Sequence, residues 1–278
     1  HPIHVGHTQT VMASEEPDGA GAGPSGTWFE PEDYGGLDDT APSAAVVVGL
    51  LREMVDPASV VDIGCGPGVF VAEWVRQGVH DVVGLDGAPV AGVYLGPPTT
   101  FRVVDLALPV AEGRRFDLAT CLEVAEHLPP EAEGTLVASL VNLAPVVAFS
   151  AAPPGQGGHG HVNERWLLHW ARLFAIHGYQ QVDAVRGLLV GREEVAWYYR
   201  TNLMVFAEPN RLGSILEWAD RSDVPDPHQV AFQKGIRSGL VERGWSELVG
   251  ALFRKLCRRV GTSRLGGAIL GRLRGPAR

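Results

Sequence analysis

The sequence predicts an α/β fold: a seven-stranded, mostly parallel sheet with helices on both faces, plus a C-terminal helical extension. Three observations carry that expectation. Five short apolar runs alternate with segments of helical periodicity, as a parallel sheet covered on both faces requires. A glycine turn, "VVDIGCGPGVF" from Val60 to Phe70, follows the first of those runs. Two later runs, "YQQVDA" and "NLMVFAE", read as a closing pair at one edge.

Taken in order, the chain begins without an initiator methionine. Met12-Ala-Ser-Glu-Glu reads as a more natural start, so residues 1–11 are set aside and their histidines kept out of metal arguments. From Met12 to Ser25 there is almost nothing to bury, and residues 1–27 read as a disordered acidic tail. "TWFEPEDYGG" then gathers Trp28, Phe29 and Tyr34, for which packing on the domain is preferred to a lid. "SAAVVVGLLREM" reads as a helix with Ser43 as its cap, stopped by Asp56-Pro57.

Ser59–Ile63 is the first strand and "VFVAEWVRQG" the helix after the glycines. "DVVGLD" ends the second strand at Asp86, and "FRVVDL" ends the third at Asp105. "FDLATCL" is the fourth strand, and "AEGTLVASLVNLA" is a helix leading to the fifth, "VVAFSAA". The predicted domain spans residues 28–207, and residues 208–278 form the helical extension with a basic end. In such sheets ligands bind beyond the carboxyl ends of the strands, and here three strand ends carry acids: Asp62, Asp86 and Asp105.

Bulk properties narrow the function. The chain has 278 residues and a formal net charge of −9, which argues against nucleic acid as the main partner. Eight acids fall in the first 40 residues, whereas from Trp245 onward Glu247 alone faces eight basic residues. Cys65, Cys121 and Cys257 have neither metal nor disulfide spacing and fit a reducing cytoplasm. No run reaches transmembrane length and no signal peptide opens the chain, so a cytoplasmic location is expected. The Gly-, Ala-, Val- and Arg-rich composition points to a high-GC bacterial source.

The glycine loop is decided by elimination. A nucleotide P-loop needs Lys-Ser or Lys-Thr after its last glycine, but Val69-Phe70 follows Gly68. A dinucleotide fingerprint needs a third glycine where Val69 stands, and Asp62 would repel a diphosphate. A ligand bearing an ammonium or sulfonium would welcome that acid.

"VVDIGCGPGVF" closely resembles the first motif of the class I, Rossmann-like S-adenosylmethionine-dependent methyltransferases. The resemblance continues in order from about residue 40 to about residue 207. It implies that Gly64, Cys65, Gly66 and Gly68 form the close backbone approach, with Asp62 near the methionine amino group. It further implies that Asp86 accepts from the ribose hydroxyls and that Asp105, beside Leu106, accepts from the adenine amino group. Cys121, Leu122 and Glu123 match the segment that passes under the cofactor toward the acceptor. The product would be S-adenosylhomocysteine.

Methyl transfer is an in-line displacement in which alignment contributes on the order of 7–11 kcal/mol. A hydroxyl acceptor also needs a base, worth about 10²–10⁴-fold, and histidine is the usual choice. In "EVAEHLPPE", His127 weighs evenly between positional and catalytic roles. In "PPGQGGHGHVNERWLLHW", His159 and His161 reach the ligand face, and His161 is the preferred base. Asn163 is read as capping the next helix, with Trp166, Trp170, Leu173 and Phe174 as its buried stripe, and His169 and His177 as surface residues. His159 and His161, two positions apart, with Glu123, Glu126 or Glu164 could hold a divalent ion. Magnesium prefers oxygen and no four-ligand zinc spacing is present, so no metal is expected.

"REEVAWYYRTN" either lines an acceptor pocket or packs the sheet edge. "SELVGALFRKLCRRV" is a basic amphipathic helix, read first as docking on its own domain or on a second copy, and second as touching a membrane peripherally. The expected activity is methyl transfer to a hydroxyl of a small molecule, a sugar, glycan or secondary metabolite. N-methylation of an amino sugar or small amine is the alternative.

Overall fold

A computed structural model describes residues 40–222. The acidic tail, Trp28, Phe29, Tyr34 and the basic segment after residue 222 lie outside the described residues. The first helix, α1, is Thr40–Val55; β1 is Ser59–Ile63, α2 Val69–Arg76, β2 Asp81–Asp86 and β3 Phe101–Val103. Then come β4 Leu118–Leu122, α3 Glu133–Leu143, β5 Val146–Ser150, α4 Leu167–Ile176 and β6 Gln180–Val182. Last are α5 Arg186–Leu189, α6 Trp197–Asn202, β7 Met204–Ala207 and α7 Pro209–Arg221.

The seven strands lie in the order β3-β2-β1-β4-β5-β7-β6. β1 to β5 pair in parallel, while β7 runs antiparallel to both β5 and β6, forming the closing edge pair that the sequence predicts. Strand order reverses between β1 and β4, and in such sheets the ligand crevice lies outside the carboxyl ends of the strands at this point. β1, β4 and β5 are apolar but for Ser59, Asp62, Thr120 and Ser150, because helices cover both faces. Val47, Leu51, Val71, Trp74 and Trp218 pack on one face. Leu136, Leu140, Trp170 and Phe174 pack on the other, where Phe174 stacks on Phe206 at 4.0 Å between ring centres.

Several local expectations are corrected. Ser43 does not cap α1; it is buried inside the helix, and its hydroxyl accepts the Ala196 N–H at 2.8 Å, tying α1 to the start of α6. β3 stops at Val103, so Asp105 sits in the turn beyond it. Asn163 does not cap α4, which starts at Leu167 with Trp166 in the capping position. Trp166 is 65% exposed, leaving Trp170 and Phe174 as the buried stripe. His169 is half-buried and pairs with Glu133 at 2.7 Å. Tyr199 is buried edge-on against Phe70, so part of "WYYR" packs the core while Trp197 remains exposed. Among the described residues no helix is long and apolar enough to cross a membrane.

Candidate active site at the strand switch

The loop after β1 is built from backbone that few residues other than glycine tolerate. Gly64 and Gly68 adopt φ of 71° and 80°. A Cβ on Gly64 would stand 2.3 Å from a Val124 methyl, and one on Gly68 2.3 Å from the Tyr94 ring. The loop is therefore pressed between the segment after β4 and the Tyr94 turn, with no room for a side chain. Gly66 donates its N–H to the Asp86 carboxylate at 2.7 Å, and Gly87 donates to the same group at 2.6 Å. One acid at the end of β2 thus fixes the first loop and its own turn together.

Asp62 is buried at the end of β1 and accepts the Thr120 hydroxyl across the β1–β4 ladder. Burial pushes its carboxyl up to about 7, opposed by the Thr120 bond and reinforced by the charge on Asp86. Burial also raises Asp86, against the two backbone N–H groups that favour its ionised form. Asp105 accepts the Ala107 N–H at 2.9 Å, and Leu106 beside it is buried. Cys65, Cys121 and Leu122 are buried too, and burial drives both thiols upward, so neither cysteine is a nucleophile.

The other side of the crevice is made of side chains from distant segments. Glu123 follows β4 in a left-handed conformation, φ 55°, which is strained for glutamate. Its N–H is pinned by the Ser150 carbonyl at 3.0 Å and the Ser150 hydroxyl at 3.1 Å. Its carboxylate accepts Gln156 at 2.9 Å and Asn202 at 3.1 Å, and Asn202 also donates to Gln156 at 2.9 Å. Neither amide was singled out from the sequence. They stand 46 positions apart in a loop and a short helix, and no motif signals them.

Three further groups converge beside Glu123. Glu126 is fully buried beside Glu123; burial first, and then the Glu123 charge, raise it to about 9, opposed by the backbone N–H groups of Glu126 and Ala152. His127 is pushed down to about 4, first by burial and then by His161, while the Gly160 carbonyl at 3.3 Å to its Nδ1 opposes the shift. The rings of His127 and His161 meet edge to face at 4.8 Å. His161 Nδ1 lies 3.0 Å from the Glu164 carboxylate, which also accepts the Gly155 and Gly157 N–H groups at 2.7 Å each. These bonds, His161's first, hold the Glu164 carboxyl below its ordinary range. One donor atom each from Glu126, His127 and His161 lies within 4.8 Å of the others, a set that could hold a metal although the sequence predicts none.

The structure brings His127 and His161 together and leaves His159 exposed on the glycine loop outside that cluster. Asn163 owes its burial to a different task from capping: its N–H and that of Val162 both bind the Glu126 carbonyl, at 3.0 and 2.9 Å. That bond clamps the post-β5 loop to the post-β4 turn.

The loop fits S-adenosylmethionine. Asp62, Asp86 and Asp105 would offer carboxylates to an ammonium, a sulfonium and polar hydrogens rather than to a phosphate. Comparison with known proteins agrees. Residues 44–184 match a family described as "Methyltransferase domain". The chain is 37% identical over 81 residues to the ubiquinone biosynthesis O-methyltransferase of Hahella chejuensis, covering 26% of this chain and 34% of that protein. It is 29% identical over 133 residues to the enzyme of the same name from Bordetella avium, covering 44% of this chain and 55% of that protein. The chain thus spans about half or less of the length of these relatives. Among solved structures, the sugar N-methyltransferase KedS8 from Streptoalloteichus sp is 16% identical, with a TM-score of 0.49, over 73% of this chain and 99% of that one. Magnesium protoporphyrin IX methyltransferase from Synechocystis, solved with bound SAH, is 18% identical with a TM-score of 0.48, over 61% of this chain and 84% of that one.

Proposed function

The chain belongs to the methyltransferase-domain family that uses S-adenosylmethionine, and on that premise we propose that it transfers the methyl group to a hydroxyl of a small molecule. The observation that carries this reading is the carboxylate-backed imidazole, His161 on Glu164, set beside His127 and Glu126 next to the segment that leaves β4. Oxygen acceptors need a proton removed, and this is the part of the crevice equipped to take one. The relatives named as O-methyltransferases support oxygen as well. A sugar, glycan or secondary-metabolite acceptor, met in a bacterial cytoplasm, is part of the same proposal.

The cofactor supplies a methyl group already activated by a sulfonium. The residues here bind and align: the Gly64–Gly68 backbone and Asp86 hold the nucleoside end, and Asp62 sets a carboxylate beside the amino-acid end. His161 donates Nδ1–H to Glu164, which leaves the lone pair on Nε2. Asn202 and Gln156 fix Glu123, whose carboxylate borders the acceptor's space. With the cofactor bound, the histidine cluster would take the acceptor's hydroxyl proton and pass it on to water.

The test is a panel of phenols, sugars and amines incubated with the protein and S-adenosylmethionine, with S-adenosylhomocysteine and methylated product read by mass spectrometry. The expected outcome is O-methyl product that falls at least about tenfold in His161→Ala. A second reading, N-methylation of an amino sugar or small amine, is favoured by the Glu123 carboxylate held by Gln156 and Asn202. Amine product with turnover indifferent to His161→Ala selects it.

A further inference from the structure

Nine large apolar side chains are exposed among the described residues, and seven of them stand at the carboxyl end of the sheet. Leu95 donates its N–H to the Pro67 carbonyl in the glycine turn, Val103 ends β3, and Leu108 follows Asp105 in the turn beyond it. Across the crevice the Val162 N–H binds Glu126, Trp166 stands in the capping position of α4, and Leu168 lies in its first turn. Trp197 opens α6, directly after the Ala196 N–H that binds Ser43 of α1. The other two are elsewhere, Ile176 at the far end of α4 and Leu216 in the middle of α7. Apolar residues scattered singly over a surface need no explanation, whereas a group gathered around the mouth of a crevice marks a surface that something covers.

The fold delivers two further parts of the chain to that same end. α1 runs down to the start of β1, so its first residue, Thr40, stands at the carboxyl end of the sheet with residues 28–39 attached to it. α7 starts at the opposite end, where the Glu208 N–H binds the Pro145 carbonyl, and packs against α1. Its 13 residues rise about 20 Å, so residues 223–278 continue from the crevice end as well. The two parts are opposite in charge. Residues 28–39 hold Glu30, Glu32, Asp33, Asp38 and Asp39 and no basic residue, while residues 245–260 hold Arg254, Lys255, Arg258 and Arg259 against Glu247 alone. In that second stretch Leu248, Leu252, Leu256 and Val260 recur every fourth position, the spacing of one helical face.

We propose that residues 245–260 dock across the mouth of the crevice, their apolar positions on Val162, Trp166, Leu168 and Trp197 and their basic positions on the acids of residues 28–39. Residues 223–244 can extend on the order of 70 Å, so the mouth is within their reach. On such a tether a weak contact suffices, because the effective concentration of the segment is in about the millimolar range. The rival partner for a basic amphipathic stretch is an anionic bilayer, worth about 1 kcal/mol per Lys or Arg near its surface. Here five acids arrive at the same end of the fold, where they oppose an anionic bilayer and attract the basic segment. Docked in this way, the segment covers the Glu123, Gln156 and Asn202 cluster and shields it from bulk water. The docking is the same whether oxygen or nitrogen is methylated beneath it.

Cys257 supplies the test, since Cys65 and Cys121 are buried. In the full chain, Leu168→Cys and Glu194→Cys each place a second thiol at the mouth, and Ile176→Cys places one at the far end of α4. Under mild oxidation Cys257 is expected to join position 168 or 194 of its own chain at least about tenfold faster than position 176, read by mass spectrometry of the linked peptides. Arg258→Glu with Arg259→Glu should slow that trapping about tenfold at low salt, and Asp38→Lys with Asp39→Lys added should restore it. S-adenosylmethionine affinity within about twofold on every variant shows that the fold is intact. Trapping at equal rates at all three positions, or at none, overturns the proposal. So does a bond between two chains whose yield rises with concentration, which gives the surface to a second copy. Sedimentation with phosphatidylglycerol vesicles and not with phosphatidylcholine vesicles, lost in Leu252→Asp, gives it to a membrane and overturns the proposal as well. No readout here depends on turnover, so the docking is decided separately from the acceptor.

Discussion

The two walls of the crevice are built on opposite plans. The cofactor wall is made by neighbours in sequence: a strand, its glycine turn and the acid at the end of the next strand, Gly66 and Asp86 being 20 positions apart. It works chiefly through backbone and fixed carboxylates. The wall proposed for the acceptor is assembled from Glu123–His127, Gln156, His161–Glu164 and Asn202, which meet only after β4, β5 and α6 are in place. It works through side chains. A ligand shared by many enzymes can be read by backbone, whereas an acceptor is chosen by side chains that vary freely on loops. The two walls should therefore fail separately.

The largest effect is expected on the cofactor wall. Gly64→Ala puts a methyl 2.3 Å from Val124 in a left-handed backbone. It should cost about 2–6 kcal/mol of stability, strain and overlap together, read by denaturant unfolding. Next is Asp86→Asn, which weakens two charge-assisted bonds to Gly66 and Gly87 and, on the proposed reading, takes the charged acceptor from the ribose hydroxyls. S-adenosylmethionine affinity should fall about tenfold to a hundredfold by calorimetry, with acceptor KM little changed. If acceptor KM rises equally, the walls are not independent.

A pH effect follows from Asp62. Its folded carboxyl titrates near 7, above the ordinary 3.8. The folded protein therefore holds this proton more tightly than the unfolded chain, so Asp62's contribution to stability declines as pH rises from about 4 to about 7. The cofactor's ammonium favours the ionised form, so its binding releases the proton below about pH 7. Affinity should climb by up to about tenfold per pH unit toward 7 and then level off. Asp62→Asn should flatten that slope; a slope that persists in the variant assigns the proton to another group.

On the acceptor wall, Asn202→Ala frees Glu123 from one of its two amides. Acceptor KM should rise about tenfold while cofactor affinity stays within about twofold, as expected for one hydrogen bond to a charged group. The smallest effect lies at the far end of the sheet. Arg114 pairs with Asp81 in solvent and lies over the Phe116 ring at 4.1 Å. Arg114→Ala should cost at most about 1 kcal/mol and leave both ligands' affinities unchanged.

The same contrast governs what was legible in the sequence. β1 and β2 appear with the bounds expected, because buried apolar runs between turn residues leave few alternatives. β3 is shorter because it is the sheet's edge, where Val103 is 56% exposed and nothing compels the ladder onward to Asp105. The glycines and strand-end acids were readable since each acts within one β–turn unit. Asn163 misled because its side-chain amide turns to the Ala125 carbonyl at 3.5 Å and not to a helix end, and α4 waits four residues for Leu167. Gln156 and Asn202 carried no signal at all: an amide's partner across 46 residues is set by packing alone.

Glu123 deserves to be seen from the standpoint of selection. Its left-handed backbone suits glycine, so Glu123→Gly should raise stability by up to about 1 kcal/mol while emptying the point where the two walls meet. A search that rewards thermal endurance alone would discard this residue early. A lineage still performing the reaction has a reason to retain it, so the amino acid at this single position separates working descendants from well-folded relics.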